Sequence, residues 1–562
     1  MSPTRQYANA ATTDLSALIA QPLECPHGQS PQKKTQPDPS LEVRGFGAGS
    51  LGSLAVTIDP RTPVIVAVGQ SEQRFANPFD SLEPIDLLAE AVHDAGKHKA
   101  IKHLTAKADT VCVINMMSWD YADPARSLSR RIHADPRRTI ATSAGGNSPQ
   151  MVLNHLAREI QSGATEIAII GGVECVNTRW RARKIDPPVV LDWSTDADPP
   201  CPDVMGDPRP GTSDYENAHA AIAPTSVYPL FETAIRHASG RSIEEHRREV
   251  GALWEHFSSQ AAKNPRAWSQ TPYSADEITL TSPSNRMVVF PYTKLMCANI
   301  DVDQAAAIVM CSYGAAVEAG VPSDEMVFPW SGAEANDHYF FTERWSLADS
   351  PAIASAVSTA LAAAGIGMDD IAHMDLYSCF PSAVQLAMRA LNLKGPLQDP
   401  RPLTLTGGLG FAGGPGNAYV VRSIAAMVNA SRETPGSIGL VTALGWYATK
   451  HAAGIYSTTP PTTPNNAAAF VPKSETQPLV DSLPSRAPAG AYTGPAEIEA
   501  TAVVMERDGS PAQGIIAAIS PDGRRALLNT SDKQILTSMT EEAWEGREIQ
   551  VVAGKHSNLL EA

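Results

Sequence analysis

The chain has 562 residues, 43% of them hydrophobic and 19% charged, a globular composition too long for one core, so about two to four domains are expected. No stretch approaches the ~20 uninterrupted apolar residues of a membrane-spanning helix, so no membrane span is expected. A net charge of −16 argues against a nucleic-acid partner, because phosphate binding draws on clustered Lys and Arg.

Residues 1–57 are rich in Pro, Ser, Gln and Gly without periodicity and read as a poorly ordered extension. A buried strand is predicted at Pro63-Val64-Ile65-Val66-Ala67-Val68-Gly69. An amphipathic helix follows, with Pro84 in its first turn and Ile85, Leu88, Ala89 and Val92 on one face. After a strand over 110–114, a glycine turn, Gly145-Gly146-Asn147, opens a helix that aligns Val152, Leu153, Leu156 and Ile160. That helix leads into a strand over 166–170, ended by Gly171-Gly172. The stretch 175–290 is polar, Pro-rich and dotted with Arg179, Arg181, Arg183, Arg247 and Arg248, and reads as an inserted subdomain of a first half spanning 58–320.

The same order recurs over 321–455. Ser350 suits an N-cap and Pro351 the first helical position, with Ile353, Val357, Ala360, Leu361 and Ala364 forming the apolar face. A strand over 371–377 and a further helix precede a second glycine turn, Gly413-Gly414-Pro415-Gly416. It opens a helix aligning Val421, Ile424, Ala425 and Val428, and then a strand over 438–442. Alternating strands and helices predict an α/β fold of two similar halves. Residues 456–491 are rich in Pro, Thr and Ser and read as a linker. Residues 492–562 read as a small β-barrel, with strand candidates over 498–505, 514–519 and 549–552 and turns at Asp508-Gly509 and Asp522-Gly523. With eleven acidic against six basic residues over 493–562, this domain lacks the charge of a nucleic-acid barrel.

The duplicated halves with matching glycine turns, and the insertion after Gly171-Gly172-Val173-Glu174, resemble the thiolase superfamily over roughly 60–455. Pro291-Tyr292-Thr293-Lys294-Leu295-Met296-Cys297-Ala298-Asn299-Ile300-Asp301-Val302-Asp303-Gln304 is similar to the branch of thiolase-like proteins type 1, near the sterol-carrier-protein thiolases, as is the extra C-terminal domain. The resemblance implies a duplicated thiolase fold of two mixed sheets in five layers, with an inserted loop subdomain and an OB-like barrel. It also implies a coenzyme A thioester as substrate or ligand, in lipid metabolism.

Four loops carry the chemistry of that family. Its nucleophilic cysteine begins the helix ending in Ile160-Gln161-Ser162-Gly163, which puts Gly146 at that position, or Gly145 if the register slips by one. The Gly-His-Pro loop appears as Gly413-Gly414-Pro415, so the histidine position is Gly414; the Cys-x-Gly loop appears as Ala443-Leu444-Gly445, so its cysteine position is Ala443. The fourth loop, His-Asp-Cys-Phe in the sterol-carrier-protein branch, reads Tyr377-Ser378-Cys379-Phe380 and keeps its cysteine. The implied catalytic residues are Cys379, as proton shuttle or replacement nucleophile, and Tyr377, as hydrogen-bond donor to a thioester carbonyl. Backbone N–H groups of Gly146 and Gly445 are the candidate oxyanion donors, and Gly413, Pro415, Arg181 and Arg183 the candidate substrate-binding residues.

Each has a plainer reading. Most free cysteines are small buried apolar residues, Tyr377 suits a packed aromatic, and Arg179, Arg181 and Arg183 suit a solvated face. His451, shortly after the third loop, either approaches the pocket or, on the plainer reading, is a solvated hairpin residue, and His219 and His338 have no motif behind them. The seven cysteines (Cys25, Cys112, Cys175, Cys201, Cys297, Cys311, Cys379) are scattered without a Cys-x-x-Cys pair, which predicts no disulfide framework, no metal site and a reducing compartment. No signal-peptide core or peroxisomal address is visible, so the cytoplasm is expected. No tightly bound cofactor is expected, and the chain is expected as monomer or homodimer. Two functions follow: a non-ping-pong acyltransferase or carbon–carbon bond enzyme, or a non-catalytic acyl-coenzyme A binding or assembly protein.

Overall fold

The computed structural model describes residues 58–195, 202–395, 398–399, 401–461 and 468–560. The N-terminal extension, Cys25 and Cys201 lie outside the described residues. Residues from Thr57 onward form one compact unit.

In chain order, the first half contributes β1 (Pro63–Glu72), β2 (Thr110–Val113), β3 (Arg138–Thr142), β4 (Ile167–Cys175) and β5 (Asp203–Met205). A hairpin, β6 (Met287–Phe290) and β7 (Tyr292–Thr293), precedes β8 (Asp303–Ser312). The first sheet has the order β1-β8-β4-β2-β3-β5. The second half supplies β9 (Phe328–Asn336), β10 (His373–Asp375), β11 (Ile438–Gly445), β12 (Lys450–Ser457) and β13 (Ala469–Phe470), ordered β10-β11-β12-β9-β13. Reading β1-β8-β4-β2 against β9-β12-β11-β10 gives the same topology: two antiparallel pairings, then one parallel pairing. The duplication is therefore structural.

Seven helices position the site: α1 (Pro84–Ala95), α2 (Ser148–Ser162), α3 (Pro224–Ala238), α4 (Ile243–Lys263), α5 (Pro351–Ala364), α6 (Pro381–Ala390) and α7 (Tyr419–Glu433). The central helices α2 and α7 each touch strands of both sheets and lie between them. The outer helices α1 and α5 cover β1 and β9 and their neighbours. The result is five layers of alternating helix and sheet, as expected. Ser350 accepts from the Ile353 N–H and caps α5 with Pro351 in the first turn.

All nine residues of β4 are buried, so this central strand reads as one apolar run. It continues past Gly171-Gly172, where the sequence suggested a stop. These glycines let helices approach from both faces: a Cβ on Gly171 would lie 2.9 Å from a Leu88 methyl, and one on Gly172 2.7 Å from the Ala418 methyl.

The insertion is largely helical. The stretch read as a linker holds β13, which pairs with β9, and a helix over Lys473–Asp481 packed on β9. Its Pro, Thr and Ser content concealed an element stabilised by docking rather than by its own pattern. The C-terminal domain comprises β14 (Gly494–Met505), β15 (Pro511–Ile519), β16 (Arg525–Thr530), β17 (Glu548–Ala553) and β18 (Asn558–Leu560). The pairings β14-β15-β16-β18-β17-β14 close a five-stranded barrel. Gly509 (φ 88°) and Gly523 (φ 83°) make the two predicted turns. The β6–β7 hairpin of the insertion extends this sheet through β14, Val503 standing opposite Phe290.

Candidate active site

The loops singled out in the sequence meet where the central helices begin. The Gly145 N–H donates to Asn417 Oδ1 (2.9 Å), and Asn417 Nδ2 donates to the Asn115 carbonyl (3.1 Å). Thr442 Oγ1 accepts from the Tyr377 N–H at 3.0 Å. The Gly414 N–H donates to the Asn299 carbonyl at 2.8 Å. Glu174 accepts from the Met117 and Ser118 N–H groups at 2.7 and 2.8 Å, and burial raises its carboxyl above the usual range. Lys450 donates to the Ala144 and Asp207 carbonyls (3.0 and 2.7 Å) and so holds the strand end before Gly145; burial pushes its ammonium down to about 8.

Gly146 has no room for a side chain. A Cβ there would lie 2.5 Å from the Leu444 carbonyl oxygen and 2.9 Å from Tyr377 Cζ, with the Tyr377 hydroxyl in the same space. A Cβ on Gly145 (φ 154°) would lie 2.5 Å from Asn147 Oδ1, so the alternative register is closed too. Gly445 comes within 3.2 Å of the Gly145 backbone, measured from where its Cβ would be. Gly414 is less constrained, with the Asn299 oxygen at 3.3 Å. Gly146, Gly445, Gly413, Gly414, Pro415 and Ala443 are all buried.

Cys379 is 9% exposed, and burial pushes its thiol up to about 12, with the Tyr228 hydroxyl beside it acting in the opposite direction. The Tyr228 hydroxyl in turn donates to the Trp446 carbonyl at 2.8 Å. Tyr377 packs edge-on to Tyr419 at 5.6 Å, and burial raises its hydroxyl well above the ordinary tyrosine value. His451 corrects an expectation: it is buried in β12, not solvated. Its Nε2 lies 2.9 Å from the Ala448 carbonyl and 3.5 Å from Asp337 Oδ2. With Tyr377 and Ala443 it lines a void of about 10 Å3, room for about one water. His219 is also buried, its Nε2 accepting from the Asn558 N–H of β18 at 2.9 Å.

An open groove of about 500 Å3 lies over the 295–299 and 410–411 segments. Arg74, Arg181 and Lys294 bring positive charge to it, and Cys297 and Asn299 form part of its floor. Arg181 lines this groove, whereas Arg183 is exposed on the same helix and is not among the groove's lining residues. Arg179 instead donates to the Met117 carbonyl at 3.3 Å. Sequence reasoning missed Tyr228, Asn417, Lys450 and Arg74, for which no motif gave a signal. Among the described residues, no cluster of His, Cys, Asp and Glu has the arrangement of a metal site, and the five described cysteines form no disulfide.

The family profile described as thiolase-like protein type 1 additional C-terminal domain matches residues 475–555. Among solved structures, a monomeric SCP2-thiolase like protein type 1 from Mycobacterium smegmatis is 33% identical over 90% of this chain and 100% of its own, with a TM-score of 0.76. The chain belongs to the thiolase-like proteins type 1. The duplicated halves of this thiolase-like protein are accordingly a thiolase fold, and the matched C-terminal segment runs from the docked helix into the barrel. Two further structures share the fold at low identity. The Ltp2-ChsH2(DUF35) aldolase is 19% identical over 71% of this chain and 98% of its own, with a TM-score of 0.52. The dimeric peroxisomal thiolase of Saccharomyces cerevisiae is 15% identical over 72% and 98%, with a TM-score of 0.51. No curated protein matches the chain.

Proposed function

We propose that this thiolase-like protein type 1 binds an acyl-coenzyme A thioester without forming a covalent acyl-enzyme. One observation carries the reading: the Tyr377 hydroxyl and the Leu444 carbonyl fill the space into which a nucleophile on residue 146 would project. The flat glycine backbone at 414 and the apolar Ala443 fit the same reading, with no imidazole or second thiol at either place. A covalent relay divides one hard step into two easier ones, so a fold that dispenses with it is suited to holding a thioester. In this reading Arg74, Arg181 and Lys294 attract the phosphates, and the pantetheine arm runs toward Asn299 and the Gly413-Gly414-Pro415 loop. Because the cations are accessible, binding weakens with salt. The short β5 on the open edge of β3 and the monomeric state of the Mycobacterium smegmatis relative support a monomer.

A second reading, a proton-transfer or direct acyl-transfer enzyme, is favoured by Cys379 touching the Tyr228 hydroxyl. The thiol works against it. Pushed up to about 12, it is ionised in on the order of one molecule in 10^5 at pH 7.

The experiment mixes the full chain with acetyl-coenzyme A in D2O, following intact mass, calorimetric binding and exchange of the acetyl protons. Expected are an unchanged mass, salt-sensitive binding that Arg181→Ala and Lys294→Ala weaken together, and no exchange. An acetyl adduct on any cysteine, or no binding at low salt, overturns the proposal. Proton exchange that disappears in Cys379→Ser establishes the second reading.

A further inference from the structure

The open groove combines two kinds of lining. Arg74, Arg181 and Lys294, all exposed, bring positive charge, and Trp268, Tyr273 and Phe411 bring aromatic rings. Asp301, the carboxylate among its lining residues, accepts from Asn177 Nδ2 at 2.8 Å and leaves the cations in excess. Backbone bonds fix the aromatic residues. The Trp268 N–H donates to the Ala412 carbonyl at 2.9 Å and the Ser269 N–H to the Phe411 carbonyl at 2.8 Å, while Tyr273 stacks on Phe411 with ring centroids 6.0 Å apart.

Arg74 joins the two kinds. Its Cζ lies 4.2 Å from the centroid of the Trp268 ring, and its Nη2 donates to the Ala267 carbonyl at 3.2 Å. Among the described residues it belongs to the one cation–ring pair that lines the groove. A guanidinium laid on an indole and tied at one end is an oriented plane before any ligand arrives, and this one is exposed.

Guanidinium planes and aromatic rings are the surfaces on which nucleobases stack, and cations beside them take phosphate. A phosphopantetheine arm alone would use the cations and leave the planes idle; a nucleotide uses both. We propose that the groove recognises the nucleotide end of coenzyme A, with the adenine ring stacked on the Arg74 guanidinium that Trp268 backs. The assignment rests on the acyl-coenzyme A reading above and narrows it: the thioester arrives on free coenzyme A and not on the phosphopantetheine of a carrier protein. Arg181 and Lys294 then hold phosphate by charge, and Arg74 contributes its face as well as its charge.

The test is calorimetric titration of the full chain at low salt with coenzyme A, with its adenosine bisphosphate portion and with phosphopantetheine. Coenzyme A and the adenosine bisphosphate are expected to compete for one site, with the adenine absorbance falling as the base stacks. Phosphopantetheine is expected to bind at least about tenfold more weakly than coenzyme A. Arg74→Lys keeps the charge and loses the plane, so it weakens coenzyme A and the adenosine bisphosphate about tenfold, one stacked base's worth, while the salt dependence of binding stays as it was. Trp268→Leu removes the backing and acts in the same direction. Because Arg74 is exposed, its variant keeps the test open should Trp268→Leu fail to fold. Coenzyme A bound equally by the wild type and Arg74→Lys, or no more tightly than phosphopantetheine, overturns the stacking and leaves the acyl-coenzyme A reading standing. Absence of any coenzyme A binding overturns both.

Discussion

At Gly146 the chain passes so close to Tyr377 and to the Leu444 carbonyl that the two loops fit only because the glycine carries no side chain. The two residues are thus complementary: the phenol occupies the volume that the glycine vacates. Gly146→Cys is expected to destabilise the fold by about 1–3 kcal/mol, the usual cost of overpacking, as read by denaturant unfolding. Adding Tyr377→Ala restores part of that loss, since one of the two obstructing groups is removed; an unaffected Gly146→Cys stability would contradict the packing described. The motif residues of this site were legible because they are contiguous in sequence: Tyr377 to Phe380, Gly413 to Gly416, Ala443 to Gly445. Their partners were not. Tyr228 reaches the Trp446 carbonyl from α3 inside the insertion, and Lys450 reaches the Ala144 carbonyl from the other half of the chain. Such pairings exist only after folding. His451 was misread for a related reason: its neighbours Lys450 and Thr449 suggest an exposed turn, yet all of β12 is buried between β11 and β9.

At the scale of elements, local signals worked where a helix or strand carries its own boundary. Pro84, Ser350-Pro351 and the glycines of the barrel turns each mark an end by backbone chemistry, and each end lies where it was expected. They failed where tertiary contact decides. The glycines inside β4 signal helix approach instead of a stop, and the Lys473–Asp481 helix survives with Pro478 in it because it docks on β9. Arg525 of β16 was likewise unremarkable in the sequence, yet its side chain is fully buried. It pairs with Glu499 of β14 at 2.7 Å and donates to the Thr342 carbonyl at 3.0 Å. It therefore fastens the barrel to the second half of the thiolase fold. Arg525→Met is expected to cost about 3–5 kcal/mol, because it strands a largely buried carboxylate and several carbonyls. Its neighbour Arg524, paired with exposed Asp522, sets the control: Arg524→Met should change stability by less than about 1 kcal/mol. Equal effects in urea unfolding would refute the fastening role.

For the whole molecule, the barrel is no appendage. The insertion lends it the β6–β7 hairpin, and α3 packs on β14 with Thr233 Oγ1 donating to the Thr501 carbonyl at 2.9 Å. Removing residues 492–562 bares the edge of β6 and the apolar surfaces of α3, so the truncated chain is expected to aggregate. Soluble expression and a sedimentation profile check this; a monodisperse truncated protein would show the insertion to be self-sufficient. The pairing of β6 with β14 also bears on how the protein is born. A ribosome delivers β6 long before β14, with the entire second half still to be synthesised between them. Until the last domain emerges, the insertion waits with an unpaired edge, and nascent chains stalled in that interval are those that most need a chaperone.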